Sequence, residues 1–250
     1  MIPHHLIDGE GTPVVLINAL GATLDMWAPQ VDPLAERFRL VRFDTRGHGG
    51  TTAEAGDWTV GDLAEDVTDL LDGIGADRAH MVGASLGGAI AMTAALRHPD
   101  RIDRLVLMST APKLGTIASW HERARTVKAE GCEALADATM SRWFSPRFHA
   151  EHPEIVAGFR ERFAACDAEG YASCCEALAK FDLRGRLGGI EARTLVVYGT
   201  EDEAIAPVDA EGIAEEIADA EIMAVEGARH LVSAERPGVV NERLVEFLGR

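Results

Sequence analysis

Basic residues are scarce in this chain. Its 250 residues include 24 lysines and arginines against 41 aspartates and glutamates, which gives a formal net charge of -17 at pH 7. Nucleic acids are bound through clustered lysines and arginines, and anionic membrane surfaces attract basic segments. The shortage therefore argues against both kinds of partner. It also means that a small anionic substrate would need a basic side chain placed locally at its site.

Long apolar runs and a targeting segment are missing as well. No apolar run approaches the ~18 residues of a membrane span. The first five residues, Met-Ile-Pro-His-His, lack the basic and apolar regions of a signal peptide. We therefore expect a cytoplasmic protein without a membrane partner. Nothing in the sequence specifies an oligomeric state.

Cysteine is sparse and irregularly spaced. The four cysteines are Cys132, Cys166, Cys174 and Cys175. None has the C-x-x-C spacing of zinc sites, and a disulfide framework is uncommon in a chain of this length. We expect free thiols in a reducing compartment and no metal site.

Short apolar runs alternate with segments of helical spacing. The runs are continuously apolar and predict buried strands at 14–17, 40–43, 80–82, 105–108, 194–198 and 222–225. Helices are expected at 27–38, 60–71, 86–97, 207–218 and 235–248. Such alternation predicts an α/β fold with a mostly parallel central sheet and helices on both faces.

One stretch departs from this alternation. From residue 116 to residue 182, helical spacing continues but no strand run appears. We interpret 116–182 as a helical cap inserted into a core that is formed by 1–115 and 183–250.

The sequence Gly-Ala-Ser-Leu-Gly at 83–87 follows an apolar run and opens a helix of small residues. This G-x-S-x-G pattern is typical of a nucleophile elbow, where a serine sits on a sharp strand-to-helix turn. Glycines two residues before and after Ser85 leave room for the strand and the helix to cross closely at this turn. A dinucleotide-binding loop is the weaker interpretation, because Ser85 occupies the middle glycine position of G-x-G-x-x-G.

A catalytic serine needs a base, and the base needs an acid to orient it. In the chain order Ser, acid, His, the base must come late, and His230 is the one histidine after the last strands. The acid is expected after the strand that ends at Gly199. Asp202 is our choice there, with Glu201 in reserve.

The negative charge that develops on the carbonyl oxygen needs two N–H donors. The backbone N–H of Leu86 follows the nucleophile, and the loop Asn-Ala-Leu-Gly at 18–21 is expected to supply a second donor from Leu20. The glycine-punctuated loop 44–49 contains His48, but this histidine precedes Ser85, so we interpret the loop as a structural turn.

With these residues in place, the chain resembles an α/β-hydrolase and, more narrowly, the 3-oxoadipate enol-lactonase family. The resemblance runs through nearly all of the chain. The resemblance depends on the segments at 18–27, 43–49, 83–88, 109–116, 141–144, 199–202 and 228–231. The segments around the elbow and the proposed triad are shared by the whole superfamily, whereas the loop at 18–21 and Arg-Trp-Phe at 142–144 are more particular. Leu86 departs mildly from the methionine often found there.

The resemblance implies catabolism of aromatic compounds through the β-ketoadipate pathway, with a small enol-lactone that bears a carboxylate as substrate. No metal or organic cofactor is expected. Arg142 beside Trp143 is the implied binding site for the substrate carboxylate, and Lys113 is a weaker candidate. Trp143 can equally anchor the cap to the core.

Three alternatives remain open from the sequence. Two are enzymes: a broad carboxylesterase or perhydrolase acting on neutral esters, and a hydrolase of carbon–carbon bonds. The third is a ligand-binding sensor on a hydrolase scaffold.

Overall fold

A computed structural model describes residues 2–52 and 54–249 of the chain. Within these residues, one sheet holds seven strands: β1 (His5–Asp8), β2 (Pro13–Ile17), β3 (Arg39–Phe43), β4 (Ala79–Ala84), β5 (Ile102–Met108), β6 (Arg193–Gly199) and β7 (Ala220–Val225). Their order is β1-β3-β2-β4-β5-β6-β7. Every neighbouring pair is parallel except β1 with β3. The predicted α/β fold with a mostly parallel sheet is confirmed.

The core helices are α1 (Ala28–Ala35), α2 (Val60–Gly73), α3 (Leu86–Arg97), α9 (Pro207–Glu216), α10 (Val232–Glu235) and α11 (Pro237–Leu248). Helix α2 begins after an N-cap, Thr59, whose Oγ1 accepts the Asp62 N–H at 3.2 Å. Helix α3 is buried from Leu86 to Ala95, as its apolar surface all round requires.

Five further helices lie between β5 and β6: α4 (Ile117–Glu130), α5 (Ala136–Trp143), α6 (Pro146–Glu151), α7 (Pro153–Ala164) and α8 (Ala168–Lys180). We call these helices the cap. In α8, Gly170 lies directly against Gly47 of the core, because a Cβ on Gly47 would come within 2.6 Å of the Gly170 Cα. The cap therefore rests on the loop that follows β3.

The structure differs from the sequence prediction at both ends. Strand β1 was not predicted, because it is a four-residue edge strand on which Leu6 and Ile7 are exposed and no continuous apolar run forms. The closing helix predicted at 235–248 begins at Pro237 as α11, and the short helix α10, which was not predicted, ends at Glu235 just before it. Arg236, which precedes Pro237, has φ -131° and ψ 57°, because a residue before proline is disfavoured in the helical region.

Candidate active site

Ser85 lies at the junction of β4 and α3 with φ 55° and ψ -113°. A non-glycine residue with its backbone in this region of φ and ψ costs about 1–3 kcal/mol. The conformation persists only where neighbouring contacts hold it. Here the Ser85 N–H donates to the Met108 carbonyl at 2.9 Å, and its carbonyl accepts the Thr110 hydroxyl at 2.9 Å. The fold therefore stabilises the sharp turn that the G-x-S-x-G pattern predicts.

The two glycines of that pattern are required by close backbone contacts. A Cβ on Gly83 would lie 2.2 Å from the Gly87 carbonyl oxygen, and a Cβ on Gly87 would lie 2.1 Å from the Ile17 carbonyl oxygen. Any side chain at either position would push α3 away from β2 and β4. The crossing of strand and helix thus fixes both residues as glycine.

His230 and Asp202 form a buried pair. The His230 Nδ1–H donates to Asp202 Oδ2 at 2.8 Å, and the exposed fractions of the two side chains are 8% and 0%. The other carboxylate oxygen accepts the N–H groups of Ala204 at 2.8 Å and Ile205 at 3.2 Å. A carboxylate held in this way fixes the imidazole tautomer in which Nε2 accepts a proton.

The loops after β6 and β7 are packed together, which brings the acid to the histidine. The Glu201 N–H donates to the Ala228 carbonyl at 2.9 Å, while a Cβ on Gly199 would come within 2.2 Å of the same oxygen. The side chain of Glu201 is exposed. The geometry thus favours Asp202 over Glu201 as the partner of His230.

A cavity of about 330 Å³ lies between the core and the cap, and we call it the central cavity. Ser85, His230 and Leu20 line it from the core. From the cap and its connection it is lined by Leu114, Gly115, Trp120, Arg123, Arg142, Trp143 and Tyr171, and from the loop after β6 by Glu203, Ala204 and Ile205. The volume is in the range of sites for small molecules.

The loop 18–21 lies beside the elbow, and hydrogen bonds hold it on both sides of Leu20. The Ala19 N–H donates to Met26 Sδ at 3.3 Å, and the Gly21 N–H donates to His48 Nε2 at 2.9 Å. Within the described residues, the structure shows no internal partner for the Leu20 N–H. Leu86 is the first residue of α3, where a backbone N–H has no acceptor inside the helix. Both N–H groups are thus available as oxyanion donors.

Only two of the three residues expected to bind the substrate lie at the site. Arg142 and Trp143 line the central cavity, but Lys113 does not. The ammonium group of Lys113 lies 3.1 Å from Asp182 Oδ2 and forms an ion pair with it. Trp143 is buried and packs edge-on against Phe163 of α7, so it also joins two helices of the cap to each other.

Sequence reasoning missed Arg123, which lies on α4 and lines the central cavity. Its Nε donates to the Tyr171 hydroxyl at 2.5 Å, and its guanidinium also donates to the Thr139 hydroxyl at 2.9 Å. Arg142 reaches the same hydroxyl at 3.4 Å. Two guanidinium groups that line the cavity therefore meet at the hydroxyl of Thr139, which is buried and is not itself a lining residue.

Neither guanidinium is neutralised by a carboxylate among the described residues. Burial, followed by the charge of Arg123, lowers the pKa of Arg142 from its ordinary value. Burial raises the pKa of Tyr171, so its hydroxyl remains protonated beside Arg123. In a chain with a net charge of -17, this unpaired positive charge is a local exception that suits a small anion.

The loop that carries His230 is hydrogen-bonded to the cap segment that carries Arg142 and Trp143. The Leu231 N–H donates to the Trp143 carbonyl at 3.1 Å. The buried carboxylate of Glu235 accepts the Arg229 N–H at 2.8 Å and the Ser145 N–H at 3.1 Å. The two walls of the central cavity are thus joined directly.

A second cavity, of about 350 Å³, lies on the other side of the loop 18–21, and Gly21, Gly47, Arg162 and Asp167 are among its lining residues. None of Ser85, Asp202 and His230 lines it. The part of the chain that the structure describes holds no cluster of three or more His, Cys, Asp or Glu side chains suited to a metal ion. Among the same residues, no helix has both the length and the apolar character needed to cross a membrane.

Comparison with known proteins shows the family. The profile of the alpha/beta hydrolase fold matches residues 12–130. The chain is 33% identical over 237 residues to 3-oxoadipate enol-lactonase 2 of Acinetobacter baylyi, a match that covers 95% of this chain and 88% of that protein.

Solved structures agree with the sequence comparison. The enol-lactonase from Burkholderia xenovorans LB400 superposes with a TM-score of 0.96 at 40% identity, covering 99% of this chain and 96% of that one. A thermophilic esterase from Thermogutta terrifontis superposes with a TM-score of 0.94 at 26% identity, covering 98% and 92%. The chain therefore belongs to the α/β-hydrolase family, as an ester-hydrolysing enzyme related to the 3-oxoadipate enol-lactonases.

Proposed function

We propose that this protein hydrolyses 3-oxoadipate enol-lactone to 3-oxoadipate through an acyl-enzyme on Ser85. The observation that carries the proposal is the presence of Arg123 and Arg142, without a carboxylate partner among the described residues, in the same cavity as Ser85 and His230. A lactone that bears a carboxylate supplies the missing negative charge. The relatives named enol-lactonases support the same substrate.

In the proposed reaction His230 Nε2 takes the Ser85 hydroxyl proton while Ser85 Oγ attacks the lactone carbonyl carbon. Asp202 holds the imidazole and stabilises the imidazolium that forms. The oxyanion of the tetrahedral intermediate accepts hydrogen bonds from the Leu86 and Leu20 N–H groups. Donors of this kind contribute about 3–4 kcal/mol each to the stability of the transition state.

Collapse of the intermediate breaks the ring C–O bond and releases an enolate that stays attached to the acyl-enzyme. The enolate can close the ring again until its carbon takes the proton from the His230 imidazolium, a step that also returns His230 to its neutral form. The resulting ketone is a far weaker nucleophile, so opening becomes effectively one-way. Water activated by His230 then cleaves the ester to Ser85 and gives 3-oxoadipate.

The cap holds the substrate in this scheme. We propose that residues 116–182 form the cap domain and that the guanidinium groups of Arg142 and Arg123 bind the substrate carboxylate. Trp143 forms an apolar wall beside them. The proposal includes a cytoplasmic role in the β-ketoadipate route, with a small anionic substrate and no need for a cofactor.

The carboxylate site predicts a selective effect of removing either arginine. We expect Arg142→Ala to raise KM for the enol-lactone about 10–100-fold, because a charge-assisted hydrogen bond contributes about 1.5–3 kcal/mol. KM for p-nitrophenyl acetate, which has no carboxylate, should change less than about twofold, since nothing then contacts the guanidinium. Steady-state kinetics on both substrates measure the difference.

Arg123→Ala should act in the same direction, and Arg125→Ala is its matched control. Arg125 lies two residues away on α4, is exposed and pairs with Glu122. It should leave both KM values unchanged. Equal losses on lactone and neutral ester in the Arg142 and Arg123 variants would contradict the carboxylate site and favour a broad esterase.

A further inference from the structure

Loop 44–49 does more than turn the chain. We propose that His48 is the positioning residue of the oxyanion hole: it holds the loop 18–21 so that the Leu20 N–H faces the reacting carbonyl. The inference rests on the proposed acyl-enzyme mechanism and assigns a role in it to a residue outside the triad.

The hydrogen bonds of His48 define its tautomer. Its side chain is buried, and its Nε2 accepts the Gly21 N–H at 2.9 Å. A backbone N–H can only donate, so Nε2 carries no proton. Nδ1 lies 3.2 Å from the Arg46 carbonyl and donates its proton to it. Neutral histidine is the one side chain that can make both bonds through a single ring.

The surroundings keep the ring neutral. Burial lowers the pKa of His48 from its ordinary value of 6.5. Asp44 and Asp167 act in the opposite direction, but burial is the larger effect. The Tyr171 ring packs beside the imidazole at 6.3 Å between centroids. The acceptor at Nε2 is therefore present at neutral pH.

The bond to Gly21 acts on the Leu20 amide through the geometry of the backbone. The Ala19 N–H and the Gly21 N–H belong to the peptide planes on either side of the plane that carries the Leu20 N–H. Met26 Sδ holds the first plane and His48 holds the second. With both neighbours fixed, the middle plane has little freedom to rotate away from the cavity.

Asp44 ties the chain just beyond loop 18–21 to the turn that carries His48, and it also closes that turn. Asp44 Oδ1 accepts the Leu24 N–H at 2.8 Å, and Asp44 Oδ2 accepts the Gly50 N–H at 2.8 Å. Gly21 has φ +83°, and a Cβ there would meet Phe163 at 2.5 Å. A side chain at position 21 would therefore collide with the cap, so the close contact between this loop and the cap requires glycine.

The test uses two variants of nearly equal shape. In His48→Gln the side-chain carbonyl can still accept the Gly21 N–H, whereas the thioether of His48→Met is only a weak acceptor and the side chain of His48→Leu has no acceptor. We expect His48→Met to lower kcat about 10²–10³-fold, the loss typical of one oxyanion donor, while KM changes less than about twofold. His48→Gln should retain kcat within about tenfold of the wild type. Should His48→Met not fold, His48→Leu takes its place.

A transition-state mimic separates positioning from a structural role. Phenylboronic acid forms a tetrahedral adduct with a catalytic serine, and its inhibition constant should rise in His48→Met in proportion to the fall in kcat/KM. His80→Met is the control, because His80 is a buried imidazole of β4 with an unpaired Nδ1 and lies outside the cavity lining. It should alter thermal stability without altering kcat.

Three results would overturn the inference: wild-type kcat in His48→Met, equal losses in the Gln and Met variants, or a change confined to KM. Both p-nitrophenyl acetate and the enol-lactone are assayed, so the result does not depend on which substrate is preferred. If Ser85→Ala is inactive and His48→Met is not impaired, the inference alone fails. If Ser85→Ala stays active, the proposed mechanism fails.

Discussion

Ser85→Ala is expected to lower kcat on the order of 10⁶-fold, because a single hydroxyl forms the acyl-enzyme and nothing else at the site can replace it. The remaining rate would come from substrate binding and from the proposed oxyanion donors, the N–H groups of Leu20 and Leu86. The fold should survive, since the Ser85 hydroxyl makes no hydrogen bond that stabilises the turn; its backbone N–H and carbonyl do so. Single-turnover kinetics on the enol-lactone measure the loss.

Ser109→Ala is the matched control for that experiment. Ser109 follows β5, is buried and has φ 46°, which makes it the other described non-glycine residue with positive φ. Among the residues that the structure describes, the Ser109 hydroxyl has no hydrogen-bond partner, and Ser109 does not line the central cavity. We expect kcat of the Ser109→Ala variant to lie within twofold of the wild-type value. A Ser85→Ala variant as active as Ser109→Ala would remove Ser85 from the mechanism.

Asp202→Asn is the substitution with the second large expected effect: kcat should fall about 10⁴-fold while KM stays unchanged. An asparagine fits the same space but carries no charge, and its amide can hold His230 in the wrong tautomer. The bonds from Ala204 and Ile205 to Oδ1 show that this carboxylate is placed by backbone groups, so the variant should keep its fold. kcat is measured on the lactone at neutral pH.

Glu201→Gln is the comparison for Asp202→Asn, because it removes the neighbouring charge. Its side chain is exposed, and we expect kcat to change less than about twofold. If Glu201→Gln lost activity on this scale and Asp202→Asn did not, the assignment of the acid would be reversed.

The sequence predicts the fold well where one local pattern determines it. Buried parallel strands such as β2 and β6 are continuous apolar runs, and the N-cap of α2 is visible as Thr59 before an amphipathic helix. Strand β1 has no such pattern, because an exposed edge strand needs only backbone hydrogen bonds to its neighbour β3. This partner strand lies far along the chain, so the pairing cannot be predicted from the residues around β1.

The same limit applies to the candidate site. Ser85, Asp202 and His230 follow from the chain order that a nucleophile, an acid and a base require. Arg123 does not, because nothing in the spacing of α4 shows which of its faces meets the cavity. The hydrogen bond between His48 and Gly21 spans 27 positions. The sequence therefore indicates the turn at 44–49 but not its hydrogen bond to loop 18–21.

The central claim is that this site selects a lactone that bears a carboxylate. The most direct test is the ratio of kcat/KM for 3-oxoadipate enol-lactone to kcat/KM for p-nitrophenyl acetate with the wild-type enzyme. Two charge-assisted contacts of about 1.5–3 kcal/mol each predict a ratio on the order of 10²–10⁴ in favour of the lactone. A ratio below one would contradict the account and identify a general carboxylesterase.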